Sequence, residues 1–179
     1  WLPFYWAGYT QTTRYTYLLH TIHDTHALRE RMSQNIRRNL VKARDRHGIT
    51  VRAGLSTDAL LTVQEQTFVR QGVANKQDPR ALRRLVEAAR SRGQGEIFGG
   101  YDAEGQLHAA VFVVWQPSGA SYIAGGSDPA LRASGAHVLT LWEAVCHTAQ
   151  YTDIFDLEGS MLRGVERFFR EFGGVQTPY

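Results

Sequence analysis

Residues 125–144 read GGSDPALRASGAHVLTLWEA, and the fold turns on how they are interpreted. The stretch begins as a turn at Ser127-Asp128-Pro129, passes through Ser134-Gly135-Ala136, and becomes an apolar helix with Val138, Leu141, Trp142, Val145 and Ala149 on one face. Two physical reasons would put the smallest residues where a buried helix starts. Unpaired N–H groups and the helix dipole make such a start an anion site, and glycine lets a phosphate approach the backbone. Alternatively, Asp128-Pro129 only caps a turn and Gly135 only relieves crowding. The stretch alone leaves both open.

Upstream lie three strand-like runs, Glu96–Asp102, Gln106–Trp115 and Ala120–Gly126. Short turns at Ala103-Glu104-Gly105 and Pro117-Ser118-Gly119 separate them, which predicts a three-stranded antiparallel meander. Downstream, Thr152–Leu157 reads as a strand and Met161–Phe172 as a helix carrying Val165, Phe168, Phe169 and Phe172. Gly173-Gly174 ends that helix, and Val175–Tyr179 reads as a last strand. Near the start, Arg14–Ile22 is aromatic and β-branched, as in a strand, and a helix is predicted from about His26 to Arg46. Ile49–Arg52 is a short strand. Two more helices follow, one opened by Ser56 and Asp58, the other by Asp78-Pro79 and carrying Leu82, Leu85, Val86 and Ala89. This alternation predicts an α/β domain with a mixed, mostly antiparallel sheet flanked by helices.

The chain of 179 residues is one domain's worth, long enough to bury a core without staples. Its single cysteine, Cys146, excludes an internal disulfide and fits a reducing, cytoplasmic compartment. Cys146 falls on an apolar helix face, where packing is favoured over nucleophilic chemistry. No apolar run approaches the ~18–20 residues of a membrane span. The opening WLPFYWAGY lacks a preceding basic region and does not read as a signal peptide. Because the first residue is Trp, the chain is expected to be processed, truncated or part of something longer.

Charge is unevenly placed. Residues 26–46 hold seven Lys/Arg and two acidic residues, 7 − 2 = +5, so the rest of the +3 chain sums to 3 − 5 = −2. Such a local excess points to a local anionic partner. Arg38, Lys42 and Arg46 recur at i, i+4, i+8, with Arg31 near that face. The stripe suits the phosphates of a tRNA acceptor stem or a nucleotide-linked precursor, or else it is a solvated helix face with ordinary salt bridges.

Four stretches carry a family resemblance: LPFYWAGYTQTTRYTY (2–17), NIRRNLVKA (35–43), the opening stretch, and FDLEGSMLRGVERFFREFGG (155–174). Together they resemble the GNAT acyltransferase superfamily, and most closely its FemAB-like branch, which includes the peptidoglycan aminoacyltransferases. The resemblance implies a GNAT-like α/β fold, with this chain as the C-terminal unit of a two-unit protein. It also implies that donor phosphate sits at a helix start, in a loop like Arg/Gln-x-x-Gly-x-Gly/Ala. Arg132, Ser134, Gly135 and Ala136 take those places, while His137 stands where the pattern keeps a small residue. Phe169 stands where the branch's Phe-Lys-x-Gly-Phe-Gly pattern has lysine, leaving Arg170 as the nearby charge.

The implied activity is transfer of an acyl or aminoacyl group from acyl-CoA or aminoacyl-tRNA to an amine, small or borne by a cell-wall precursor. Arg38, Lys42 and Arg170 are candidates for substrate binding. Glu158, where a strand gives way to a helix, is the candidate base, or it pairs with an arginine such as Arg167. Ser160 is a helix cap or a substrate contact. Tyr122 and Tyr179 are candidate proton donors, or packing residues. His20, His23 and His26 straddle a strand-to-helix junction without acidic or Cys ligands, which favours surface histidines over a metal site. The alternative to an enzyme is a GNAT-like binding or dimerisation module, and a homodimer fits either.

Overall fold

The structure, a computed structural model, describes residues 1–159 and 162–178. A short helix α1 (Leu2–Trp6) leads to β1 (Tyr15–His20), α2 (Thr25–Arg31), α3 (Gln34–Val41), β2 (Thr50–Ala53), α4 (Thr57–Gln71) and α5 (Pro79–Ser91). The meander β3 (Gly95–Tyr101), β4 (Leu107–Gln116) and β5 (Gly119–Ser127) follows. The chain ends with α6 (Ala136–Thr148), β6 (Ile154–Asp156), α7 (Arg163–Glu171) and β7 (Val175–Pro178). Seven strands form one sheet in the order β2-β3-β4-β5-β6-β1-β7. All neighbours are antiparallel except β5 and β6, which run parallel.

β4 shows why two helical layers form. Successive side chains point to opposite faces of a strand. Ala109, Val111, Val113 and Trp115 join the core shared with α2, α3, α6 and α7. Ala110 and Phe112 join the core under α4 and α5. A strand apolar on both faces must be covered on both, and α6, with nine buried residues, is the most enclosed of the covering helices.

The predicted helix over 26–46 is divided. Met32 takes an extended backbone, ψ 146°, and Ser33 opens α3 by accepting the Ile36 N–H. The Ser33 N–H donates to Glu171 O, so the break seats the two helices on the end of α7. After α3 the chain widens into a π turn over Lys42–Arg46. The break removes Arg31 from the basic stripe, and its guanidinium donates to His20 O instead. Leu85, expected on the inner face of α5, is 42% exposed, while Leu82, Val86 and Ala89 are buried as expected. Cys146 packs against the core, and burial pushes its thiol up to about 12, which keeps it protonated at neutral pH. No described helix is long and apolar enough to cross a membrane.

Candidate active site

The parallel pair β5–β6 is the shortest in the sheet. Only Ala120↔Phe155 and Ser121↔Asp156 are in register, although β5 continues to Ser127. From Tyr122 onward the flank of β5 meets helices instead of a strand. His137 Nδ1 lies 3.2 Å from Gly126 O, and Phe168 and Phe169 pack on His137 and Tyr122. Where the strands part, β5 also bulges against β4, with Ile123 as the extra residue. A bulge frees backbone groups from the ladder and re-aims side chains. Strand ends at such a parting are where α/β folds place ligands.

Tyr122 lies on this flank, its ring 5.9 Å from Phe169 and 6.4 Å from His137. Its hydroxyl lies over Gly125, where a Cβ would come within 2.5 Å of the oxygen. Burial pushes the phenol well above its usual range, so Tyr122 keeps its proton.

The loop into α6 is built differently from a plain phosphate cradle. Ser134 is buried, its Oγ accepts the Ala136 N–H at 3.2 Å, and it lies 3.0 Å from His108 Nδ1. The other ring nitrogen, Nε2, is 2.9 Å from Asp102 Oδ2. The hydrogen bond from His108, reinforced by the Gln106 N–H, holds the Asp102 carboxyl below the usual range. This Asp102–His108–Ser134 chain ties the β3–β4 turn to the start of α6. Its signal in the sequence was a histidine inside an otherwise apolar strand, in LHAAVFVVW (107–115). His108→Leu would leave the buried Ser134 hydroxyl without its ring partner, and is expected to lower stability by about 2–3 kcal/mol in denaturant unfolding.

Gly135 has φ 80°, and a Cβ on it would lie 2.9 Å from Asn39 O. The backbone of α3 therefore fills the space beside it, and close packing accounts for this glycine. Ala136 is likewise buried. Desolvation lowers the His137 pKa, with Arg70 adding to the effect, so the ring is neutral when it meets Gly126 O. Arg70, in the last turn of α4, was not read as a site residue. It and the exposed Arg132 are the cations near the start of α6, and neither is in an ion pair among the described residues.

At the exit of β6, Glu158 holds φ 66°, a left-handed backbone unusual for a residue with a side chain. Its N–H donates to Asp156 Oδ1 at 2.7 Å, and the Thr16 hydroxyl donates to the same oxygen. Desolvation and, second, the charge of Asp156 raise the Glu158 pKa. Among the described residues Glu158 has no ion pair with an arginine, and Arg167, the arginine expected beside it, binds Glu171 at 2.8 Å. Arg170 is engaged by Glu166 at 3.0 Å, and Glu166 also accepts from the Tyr17 hydroxyl. Phe169 is buried in the core. Ser160 and Tyr179 lie outside the described residues.

The basic stripe survives the helix break. Arg29, Arg37, Arg38, Lys42 and Arg46 line an open depression of about 650 Å³, with Asp45 the one acidic residue in its lining. None of the five cations has an ion pair among the described residues, whereas Arg44 turns away to Glu143. Of the three histidines near β1, His23 pairs with Asp153 and His26 with Glu30, and no metal-holding group of side chains occurs among the described residues.

A meander, a buried helix starting at its open end, and a parallel neighbour that parts after two residues define the GNAT class of α/β fold. Residues 30–170 match the acetyltransferase (GNAT) domain family, and the chain belongs to that family. No curated protein matches the chain. Among solved structures, FemX superposes with a TM-score of 0.80 at 13% identity, covering 94% of this chain and 60% of FemX. A conserved protein of unknown function from Bacteroides thetaiotaomicron gives 0.67 at 12% identity, covering 92% and 57%. L-PGS from Bacillus licheniformis gives 0.59 at 12% identity, covering 98% and 62%. At these identities the likeness is one of fold, and it agrees with the FemAB-like resemblance in the sequence. The chain spans about 60% of the length of FemX.

Proposed function

We propose that the protein is an N-acyltransferase that moves an acyl or aminoacyl group from a phosphate-bearing donor, acyl-CoA or aminoacyl-tRNA, to an amine. The observation that carries this reading is the parting of β5 from β6, with a proton-bearing Tyr122 on β5 and a strained Glu158 at the exit of β6. The amine nitrogen attacks the donor carbonyl carbon, an N–C bond forms, and the carbonyl electron pair moves onto oxygen. Glu158 takes the proton released by nitrogen. As the oxygen pair returns, the C–S or C–O bond to the carrier breaks, and Tyr122 protonates the departing sulfur or oxygen. Backbone N–H groups loosened by the bulge at Ile123 serve the transient oxyanion. Donor phosphate lies at the start of α6 beside Arg132, with Arg70 alongside, because the Ser134, Gly135 and Ala136 N–H groups are already bonded to Leu131 O, Arg132 O and Ser134 Oγ. Arg38 and Lys42 hold further substrate phosphate. Arg170, already engaged by Glu166, is the weaker candidate.

One observation favours a second reading, a non-catalytic binding or dimerisation module. The β5 flank that a donor would lie along is covered by His137, Phe168 and Phe169. Thermal shift with CoA, acetyl-CoA and a tRNA mixture at low salt separates the two. A CoA shift lost in Arg132→Glu and Arg70→Glu is the result expected for a CoA donor. A tRNA shift lost in Arg38→Glu/Lys42→Glu and in high salt is the result expected for tRNA. A folded sample that shifts with none of them sinks the enzyme reading.

A further inference from the structure

We infer that Asp156 is a positioning residue for Glu158: one carboxylate oxygen gathers the Glu158 N–H and the Thr16 hydroxyl, and so fixes the direction in which Glu158 leaves β6. This deepens the reading of Glu158 as the group that takes the amine's proton, and rests on it. The geometry begins with the strand register. Asp156 is the last residue of β6 and pairs with Ser121 on one side and Leu18 on the other. Its Oδ1 receives Thr16 from β1 and the Glu158 amide from its own chain, 2.7 Å away. An aspartate bonded to the amide two residues on makes a local turn that holds the chain in one conformation. Glu158 then has the positive φ that ordinarily falls to glycine. Such an outlier persists only where its surroundings over-determine it, and here the Asp156 oxygen, anchored by a strand 140 residues away in sequence, acts beside the Leu157 N–H, which donates to Tyr17 O at 3.0 Å.

The same carboxylate acts on its neighbour through space. After burial, the charge of Asp156 is the second cause that raises the Glu158 pKa. Of the charged groups of α7, Glu166 binds Tyr17 and Arg170, and Arg167 binds Glu171, while Arg163 at the start of the helix has no ion pair among the described residues. The pair therefore does two jobs at once. Asp156 aims the Glu158 backbone, and its negative charge keeps the Glu158 carboxylate a better proton acceptor than an ordinary glutamate.

The test uses carboxyl-¹³C NMR titration of Glu158 and hydrogen exchange of its amide in the full chain. Asp156→Asn keeps the accepting oxygen and removes the charge. Amide protection is expected to stay, while the Glu158 titration midpoint moves down in pH. Asp156→Ala removes both, so exchange of the Glu158 amide is expected to speed up about tenfold. A midpoint unmoved in Asp156→Asn, or amide protection unchanged in Asp156→Ala, overturns the inference. Should Asp156→Ala fail to fold, Thr16→Val, which removes the hydroxyl that anchors the same oxygen, takes its place: faster exchange of the Glu158 amide is expected, and unchanged protection overturns the inference. The pH–rate profile of acyl transfer to hydroxylamine, from whichever donor produces a thermal shift, separates this inference from the reading beneath it. If the NMR midpoint moves and the acidic limb of the profile moves with it, both stand. If the NMR midpoint moves and the limb does not, Asp156 positions Glu158 but Glu158 is not the base.

Discussion

Glu158→Gln is expected to lower turnover about 10²–10³-fold while leaving the fold intact, because loss of a positioned proton acceptor removes a general-base contribution of that size. Its effect on stability should have the opposite sign. The folded protein raises the Glu158 pKa above the value of the unfolded chain. Ionising this carboxylate therefore weakens the fold progressively as pH rises from the ordinary glutamate range through the raised folded value. Glutamine never ionises, so at neutral pH the variant should be at least as stable as the parent, and the difference should vanish under acid. Glu158→Gly should go further, stabilising by about 1 kcal/mol through relief of the left-handed backbone while abolishing turnover. A gain in stability coupled to a loss of turnover marks a residue held for chemistry. Chemical denaturation at two pH values, alongside single-turnover assays, reads both. If either variant retains full turnover, the proposed base is wrong.

How far the sequence disclosed this arrangement follows from which interactions are local. The meander was legible almost to the residue, because alternation and turn residues declare an antiparallel hairpin from its own text. The start of α6 was legible for the same reason. The break at Met32-Ser33 was not, since both residues fit a helical stretch and the cause is contact with Glu171, far along the chain. Sheet order was equally hidden. β1 lies between β6 and β7, with Tyr15 opposite Pro178, and nothing in Arg14–Ile22 names its partners. The site divides along the same line. Glu158 could be singled out as a carboxylate at a strand end, but the oxygen that aims it is set by Thr16 on another strand. His137 looked like a defect in a phosphate loop. In the fold its neutral ring covers the flank of β5, a role that only the nearness of Gly126 reveals.

Gly135→Ala is expected to lower stability by about 3 kcal/mol, because two independent strains add. Any side chain at φ 80° meets its own backbone, at about 1–2 kcal/mol. The new Cβ would also stand 2.9 Å from Asn39 O, and overpacking of that kind costs about 1–3 kcal/mol. The clashing atom belongs to the α3 backbone, so no change of rotamer can relieve it. For a chain of this size the melting point should fall by roughly 6–12 °C. Gly72 supplies the control: its φ is 65°, but a Cβ there meets nothing within 4 Å, so Gly72→Ala should show the backbone strain alone. The difference between the two variants isolates the packing of α3 on the start of α6. Equal losses at both positions would mean that the contact with Asn39 is not what selects glycine. A bulky or charged residue at 135 would unseat α3 before it could repel a phosphate, so loss of ligand binding there carries no information about the anion site. Arg132 and Arg70, exposed and outside ion pairs among the described residues, can be reversed in charge with the core intact. The question posed by the small residues of the loop is therefore answered by sterics at Gly135, and the proposed anion site is tested at the arginines.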